Sequence, residues 1–359
     1  MQTRPKKFSS KRIFFLVADW WGCAWYRCHV PGLELKRRGH DVILDDKIVP
    51  EELAEFDTVI FQRQCSEASW EAIRYVNSLG KVSVYELDDD LWHIDRTNPA
   101  FSYWTPDKLR GVESCIAESQ VVTTTTPYLA ERLKRFNKKI FILPNMLPKE
   151  QWQLSNPVRD SVSNGAKKAK PVRESFSNGS KDNRKLVLGW AGGTSHWPDL
   201  RILEGTIEQL LDDYTQIEFH IAGAGPVPFK QHERLKGLES VKIEQYPKLL
   251  SGFDVGLAPL VDTQFNRAKS DLKFLEYAMA GLAVVASKVE SYKGSIIHGE
   301  NGFMAKNTKD WIKYLKRLIE DNDLRQRIAT NARQFAEART IEKNIWMWER
   351  AYGITPRPV

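Results

Sequence analysis

Short apolar runs rich in Val, Ile, Leu and Phe recur along the chain, separated in most places by longer stretches whose apolar positions have helical spacing. In the first half the runs are "RIFFLVA" (12–18), "DVILDD" (41–46), "DTVIFQ" (57–62), "KVSVYEL" (81–87), "QVVTTTT" (120–126) and "KIFILPN" (139–145). The pattern restarts with "KLVLGWAGG" (185–193) and continues through "IEFHIAGAGP" (217–226), "VKIEQYP" (241–247), "FDVGLAPL" (253–260), "AVVAS" (283–287) and "GFMA" (302–305). Strands that alternate with helices predict parallel sheets covered on both faces. The chain is therefore expected to be α/β, with two Rossmann-like doubly wound domains that face each other across a cleft and bind ligands at the carboxyl ends of their strands. "DWWGCAWYRCHVPG" (19–32) reads as a Gly-containing loop before the helical "LELKRRGH" (33–40), "LRILEGTIEQLLDDY" (200–214) as a helical stretch, and the chain from Asp310 on as strongly helical.

Between the halves lies a tandem duplication, "PVRDSVSNGAKKAK" (157–170) followed by "PVRESFSNGSKDNR" (171–184). Both copies are poor in apolar residues and cannot bury enough surface to offset their ordering entropy, so a mobile linker is expected. The domains then run 1–155, joined by a C-terminal tail 338–359 that returns to them, and 185–337, with 156–184 as the linker. The linker also explains the charge. From Pro157 to Lys185 there are eight cations against three anions, which is +5 of the chain's +7. The rest is nearly balanced, which argues against nucleic acid as a partner.

At 359 residues, 42% hydrophobic and 28% charged, the chain has the composition of a globular protein with room for two cores. No apolar run reaches the roughly 18 residues of a membrane span, and the basic opening lacks the features of a signal peptide, so a cytoplasmic location is expected. The basic stretch "ERLKRFNKK" (131–139) leaves open a peripheral contact at the inner face of the membrane, with a solvated helix face as the alternative. The four cysteines, Cys23, Cys28, Cys65 and Cys115, have neither zinc-ligand nor redox spacing.

The candidate chemistry sits at strand ends. In "GWAGGTSH" (189–196), Gly192 and Gly193 give backbone room for a phosphate, although a Gly pair is also an ordinary tight turn. "HIAGAGP" (220–226) lacks the dinucleotide fingerprint, which disfavours a nicotinamide dehydrogenase. In "SDLKFLEYAMAG" (270–281), Lys273 and Glu276 form a polar stripe on an otherwise apolar helix. A surface ion pair is one reading. If the helix is enclosed, the charges need partners or ligands: a carboxylate can accept the two hydroxyls of a ribose, and an ammonium can meet a diphosphate. "YELDDDLWHID" (85–95) places Asp88 and Asp90 in an Asp-x-Asp pattern that could bind metal, cap a helix or face an acceptor; the last two readings are preferred. His93 and His196 are candidates to hydrogen-bond phosphate or sugar, and Trp20, Trp21, Trp25 and Tyr26 to stack on a sugar.

Taken together, "LPNMLP", "HIAGAGP", "FDVGLAPL", "LKFLEYAMAGLAVVAS", "HGENGFMA" and "DNDLRQRIATNARQFAE" resemble the retaining glycosyltransferases of the family 4 type, which have the GT-B fold. The resemblance covers most of 185–337 and, more loosely, "GCAWYRCHVPGLELKRRGHDV" in the first half. It implies transfer of a sugar from a nucleoside-diphosphate donor to a glycan or lipid-linked acceptor, without a metal or other cofactor. It also implies that Glu276 holds the ribose, that the loop carrying Asn301 and Gly302 lies near the donor and that Gly22 faces both substrates, while Gly192 and Gly193 join the donor contacts on their own loop's reading. Asp88, Asp90, His93 and Trp21 are left as acceptor-side candidates. The chain departs from the family pattern twice: Ala268 stands where a second Glu seats the donor sugar, and no cation follows the first strand of the second domain. Lys269 and Lys273 are expected to supply that charge and to act catalytically on the leaving diphosphate. A non-catalytic homologue and a nucleotide-sugar epimerase are the alternatives.

Overall fold

The computed structural model describes residues 10–20, 22–47, 49–153, 184–193, 196–223 and 228–354. The duplicated segment lies outside the described residues apart from Arg184.

The first sheet contains β1 (Arg12–Leu16), β2 (Asp41–Asp45), β3 (Thr58–Gln62), β4 (Val82–Glu86), β5 (Val121–Thr124) and β6 (Ile140–Ile142), in the order β2-β1-β3-β4-β5-β6. The second contains β7 (Leu186–Ala191), β8 (Ile217–Ala222), β9 (Leu235–Leu238), β10 (Val255–Ala258), β11 (Ala283–Ser287) and β12 (Phe303–Ala305), in the order β12-β11-β10-β7-β8-β9. Every pairing is parallel. In each sheet the strand order reverses beside the first strand, at β1/β3 and at β7/β10, and a crevice opens there at the carboxyl ends. The central strands β3, β10 and β11 are buried along their whole length, which accounts for their lack of alternation.

Both faces of each sheet carry a core. The first sheet is covered on one side by a cluster that includes Phe14, Phe61, Tyr85 and Ile116, and on the other by Phe15, Ile60 and Val84 packed with Ile345, Trp348 and Tyr352 of the chain's end. The tail thus completes the first half's core, and Thr58 donates to the Tyr352 carbonyl at 3.1 Å. The halves also interleave. Tyr26 and Leu147 belong to a second-half cluster, and Phe265 and Ala268 to a first-half one.

Three expected elements differ. "VKIEQYP" is not a strand: Ile243–Gln245 form a 3-10 turn and Tyr246–Leu250 a short helix with Pro247 in its first turn, where the missing N–H costs nothing. The edge strand is instead "LKGL" (235–238), whose exposed Lys236 and Gly237 leave neither an apolar run nor an alternation. The stretch 200–214 breaks at Gly205, whose φ of 75° is left-handed and starts a new helix, Thr206–Asp213. Much of the loop read at 19–32 is helical, with a π-helical turn at Trp25–His29 leading into the helix Val30–Arg37.

Candidate functional site

A cavity of about 510 Å³ lies between the halves. Its second-half wall is framed by the end of β7 and the helix Leu272–Met279, and these two elements are braced against each other. Lys273 Nζ donates to the Ala191 carbonyl, and the Ala191 N–H donates to Tyr277 Oη at 3.0 Å. Gly192 makes this possible. A Cβ there would stand 2.9 Å from Lys273 Nζ and 2.8 Å from the Trp190 ring, closer than side chains pack. The ammonium also lies 5.2 Å from the centroid of Trp190, a cation–π distance.

Lys273 and Glu276 both line the cavity, and each hydrogen-bonds elsewhere instead of pairing with the other on a surface. Glu276 is buried and accepts from Tyr26 Oη at 2.5 Å, across the two halves. Burial raises its pKa, against the lowering effects of Lys273, Tyr26 and Tyr246. Burial lowers the pKa of Lys273, and Glu276 opposes the shift. Lys269 lines the same wall, with its ammonium 4.8 Å from the Phe265 ring centroid. The residue before it, Ala268, is fully buried in the first half's core and lies away from the cavity.

His196 reaches the cavity with Nδ1 held 2.8 Å from Asp199 Oδ2. Asp199 is fixed in turn by Val261 N (2.8 Å) and Asn266 Nδ2 (3.1 Å). Burial, with Lys269 and Lys273 nearby, pushes the imidazole pKa down to about 4 despite Asp199, so the ring is neutral. The carboxylate places its proton on Nδ1 and leaves Nε2 an acceptor, which suits a sugar hydroxyl and not a phosphate.

The first-half wall is made of the segments that follow three strands. Gly22, Cys23 and Tyr26 follow β1, Asp88 and Asp89 follow β4, and Asn145 follows β6. Ligand atoms of Cys23, Asp88 and Asp89 lie within 4.8 Å of one another. They are the described residues that could hold a metal here, but burial and the two acids push the Cys23 thiol well up, so it is neutral and a weak ligand. Burial, then Asp88, raises Asp89 to about 6, with Lys269 opposing. Arg63, at a left-handed φ of 52°, is ion-paired with Asp19 at 2.8 Å and has its own pKa raised by this acidic group. Asn145 joins the walls: Oδ1 accepts from the buried Arg27 at 3.0 Å, and Nδ2 donates to Ser270 Oγ at 2.8 Å. Arg339 closes the same junction, donating to the Asn145 carbonyl at 2.9 Å and pairing with Asp271 at 3.2 Å.

The expected residues are therefore only partly brought together. Gly22, Asp88, Gly192, Gly193, Lys269, Lys273 and Glu276 line one cavity. The Asp-x-Asp pair is split, because Asp90 is buried and bonded to Arg132 (2.6 Å) and His93 (3.0 Å). Asp90, paired with Arg132, and its hydrogen-bond partner His93 thus sit outside the cavity lining, and the cavity takes Asp88 with Asp89. Asn301 and Gly302 also lie outside the lining. Asn301 Nδ2 donates to the Ser295 carbonyl at 2.9 Å and its Oδ1 accepts from Ile297 N at 2.7 Å, so the side chain ties its own loop. The Gly192 N–H is committed to the Ala222 carbonyl at 3.0 Å, and only Gly193 of that pair can be considered as a phosphate amide. Trp21 lies outside the described residues. Trp20 donates to Asp46 at 3.2 Å, and Trp25 stacks on His29. Sequence reasoning passed over Asp89 and Cys23, although both stand beside residues it selected.

Comparison with known proteins bears on the fold and on the second half. Residues 185–321 match the family model described as "Glycosyl transferases group 1". No curated protein matches the chain in sequence. Anabaena Alr3699/HepE, solved in complex with UDP-glucose, is similar in structure with a TM-score of 0.65 at 15% identity, covering 96% of this chain and 100% of its own. Sucrose-phosphate synthase (tll1590) from Thermosynechococcus elongatus gives 0.65 at 12% identity, covering 96% and 98%. A glycosyltransferase from Rickettsia africae gives 0.62 at 12%, covering 96% and 97%. The fold is that of the GT-B glycosyltransferases, and the family match over the second half supports sugar transfer. Among the described residues no helix is long and apolar enough to cross a membrane.

Proposed function

We propose that the protein is a retaining glycosyltransferase that moves a sugar from a nucleoside-diphosphate donor to an acceptor hydroxyl, in the assembly of a polysaccharide or glycoconjugate. The observation that carries this reading is the placement of a buried carboxylate, Glu276, and two ammonium groups, Lys269 and Lys273, on one wall of one cavity. Glu276 accepts from the ribose hydroxyls, Lys269 and Lys273 face the diphosphate with the Gly193 amide, and His196 Nε2 accepts from a hydroxyl of the donor sugar. Asp88 and Asp89, on the opposite wall, receive the acceptor. The bond from the sugar's anomeric carbon to the diphosphate breaks, the acceptor oxygen bonds that carbon on the same face, and the acceptor proton passes to the departing diphosphate. Catalysis is then mainly charge stabilisation and positioning.

Two ammonium groups already offset the charge of the diphosphate, so transfer is expected to survive EDTA. Purified protein is incubated with UDP-, GDP-, ADP- and dTDP-sugars, with and without EDTA and with a Glu276→Ala control, and released nucleoside diphosphate is measured. UDP-glucose goes first, because HepE was solved with it. Release that persists in EDTA and fails in the variant supports the reading. No release together with no nucleotide binding favours a non-catalytic homologue, and turnover of the donor without an acceptor favours an epimerase.

A further inference from the structure

The carboxylate assigned to the ribose already has a partner. Tyr26 Oη donates to Glu276 Oε1 at 2.5 Å, and both residues are buried. The two ends of this bond belong to different halves and are anchored independently. Tyr26 lies in the π-helical turn Trp25–His29, an uncommon geometry that recurs at functional sites. Its neighbour Arg27 is fully buried and forks onto Glu86 of β4 at 2.7 and 3.1 Å, with further bonds to the Leu143 carbonyl (2.6 Å) and Asn145 (3.0 Å). Tyr26 is therefore fastened to the first sheet, while Glu276 rides on a helix braced to β7 through Lys273 and Tyr277.

A ribose that bonds Glu276 through its two hydroxyls must reach both carboxylate oxygens, and Oε1 already accepts from the phenol, which itself lines the cavity on that side. We propose that Tyr26 is a built-in competitor for the donor's ribose: an interdomain clasp that a nucleoside diphosphate must displace from Glu276 in order to bind. This rests on the reading of Glu276 as the ribose carboxylate. The clasp makes donor affinity weaker than the second-half wall alone would give, and donor arrival releases one of the bonds that hold the halves together.

The test is calorimetric titration of UDP, followed by GDP, ADP and dTDP if UDP does not bind, into the full chain and three variants: Tyr26→Phe, Glu276→Ala and the double variant. Tyr26→Phe keeps the ring and its packing and removes only the hydroxyl. It is expected to tighten nucleotide binding by roughly 3- to 10-fold, the scale of one ordinary hydrogen bond's net contribution. Glu276→Ala is expected to weaken binding, and adding Tyr26→Phe to it is expected to change nothing further, because the competition acts only through that carboxylate. Unchanged or weaker binding in Tyr26→Phe, with normal binding by the parent chain, overturns the clasp and leaves the glycosyltransferase reading intact. Tightening that persists in the double variant also overturns it. Binding of no nucleotide by any of the four proteins overturns the clasp and the donor-site reading together.

Discussion

The two walls of the cavity are built differently. The second-half wall is framed by regular structure, the end of β7 and the helix Leu272–Met279, cross-linked by Lys273 on Ala191 and by Ala191 on Tyr277, with His196 and Lys269 on the segments beside them. The first-half wall sets its acids on a loop: Asp88 and Asp89 follow β4 and meet Cys23, at the start of the helical segment after β1, near a left-handed Arg63. The difference suggests a division of labour. A rigid wall suits the nucleotide, common to many donors, while loops can vary with the acceptor without disturbing a sheet.

Substitutions on each wall sharpen this comparison. The largest effect is expected from Lys273→Met, which removes a cation from the leaving diphosphate: kcat falls by about 10²–10³-fold in a steady-state assay. Glu276→Ala comes next, raising the nucleotide Kd by roughly 10- to 100-fold in titration, since a buried carboxylate accepts charge-assisted bonds. Both belong to the rigid wall, and neither is expected to change the acceptor KM by more than about twofold if the walls are independent.

On the loop wall, Asp89→Asn is expected to raise the acceptor KM about tenfold and to leave the nucleotide Kd nearly unchanged. Asp89 titrates near 6, so kcat/KM for the acceptor rises with pH through that value as the carboxylate forms, and the variant lacks the limb. The sign for stability is opposite. An acid whose folded pKa lies above its unfolded one contributes stability as pH falls, so the loss of rate at pH 5.5 is not accompanied by unfolding through this group. His196, held near 4, stays neutral over the same range and cannot produce that limb. The smallest effect on nucleotide binding among the four is expected from Asn301→Ala, which instead lowers stability by about 1–2 kcal/mol in denaturant unfolding by leaving Ile297 N and the Ser295 carbonyl without their partner.

The same contrast decided what could be read from the sequence. Among the described residues eleven of the twelve strands fall within the apolar runs, most of them because parallel strands buried on both faces read as continuous apolar stretches, while the half-exposed β2 and β6 show through their own Val, Ile, Leu and Phe. The exception, β9, is a half-exposed edge strand with Gly237 in it. Lys273 and Glu276 were legible because a helix fixes which residues share a face. The loop wall was not legible to the same degree. In "LDDDLWH" sequence alone cannot say which acids face inward, and the ion pair with Arg132 that withdraws Asp90 depends on a residue some forty positions away. The bond from Tyr26 to Glu276 spans 250 positions and leaves no local mark at either end.

The most direct test of the account is a crystal structure of the protein with bound UDP, or with whichever nucleoside diphosphate it binds. The account predicts the ribose hydroxyls within hydrogen-bond distance of Glu276, the diphosphate facing Lys269 and Lys273 at the end of β7, and Tyr26 no longer bonded to Glu276. A nucleotide seated on Asp88 and Asp89, with the Tyr26–Glu276 bond intact, would contradict it.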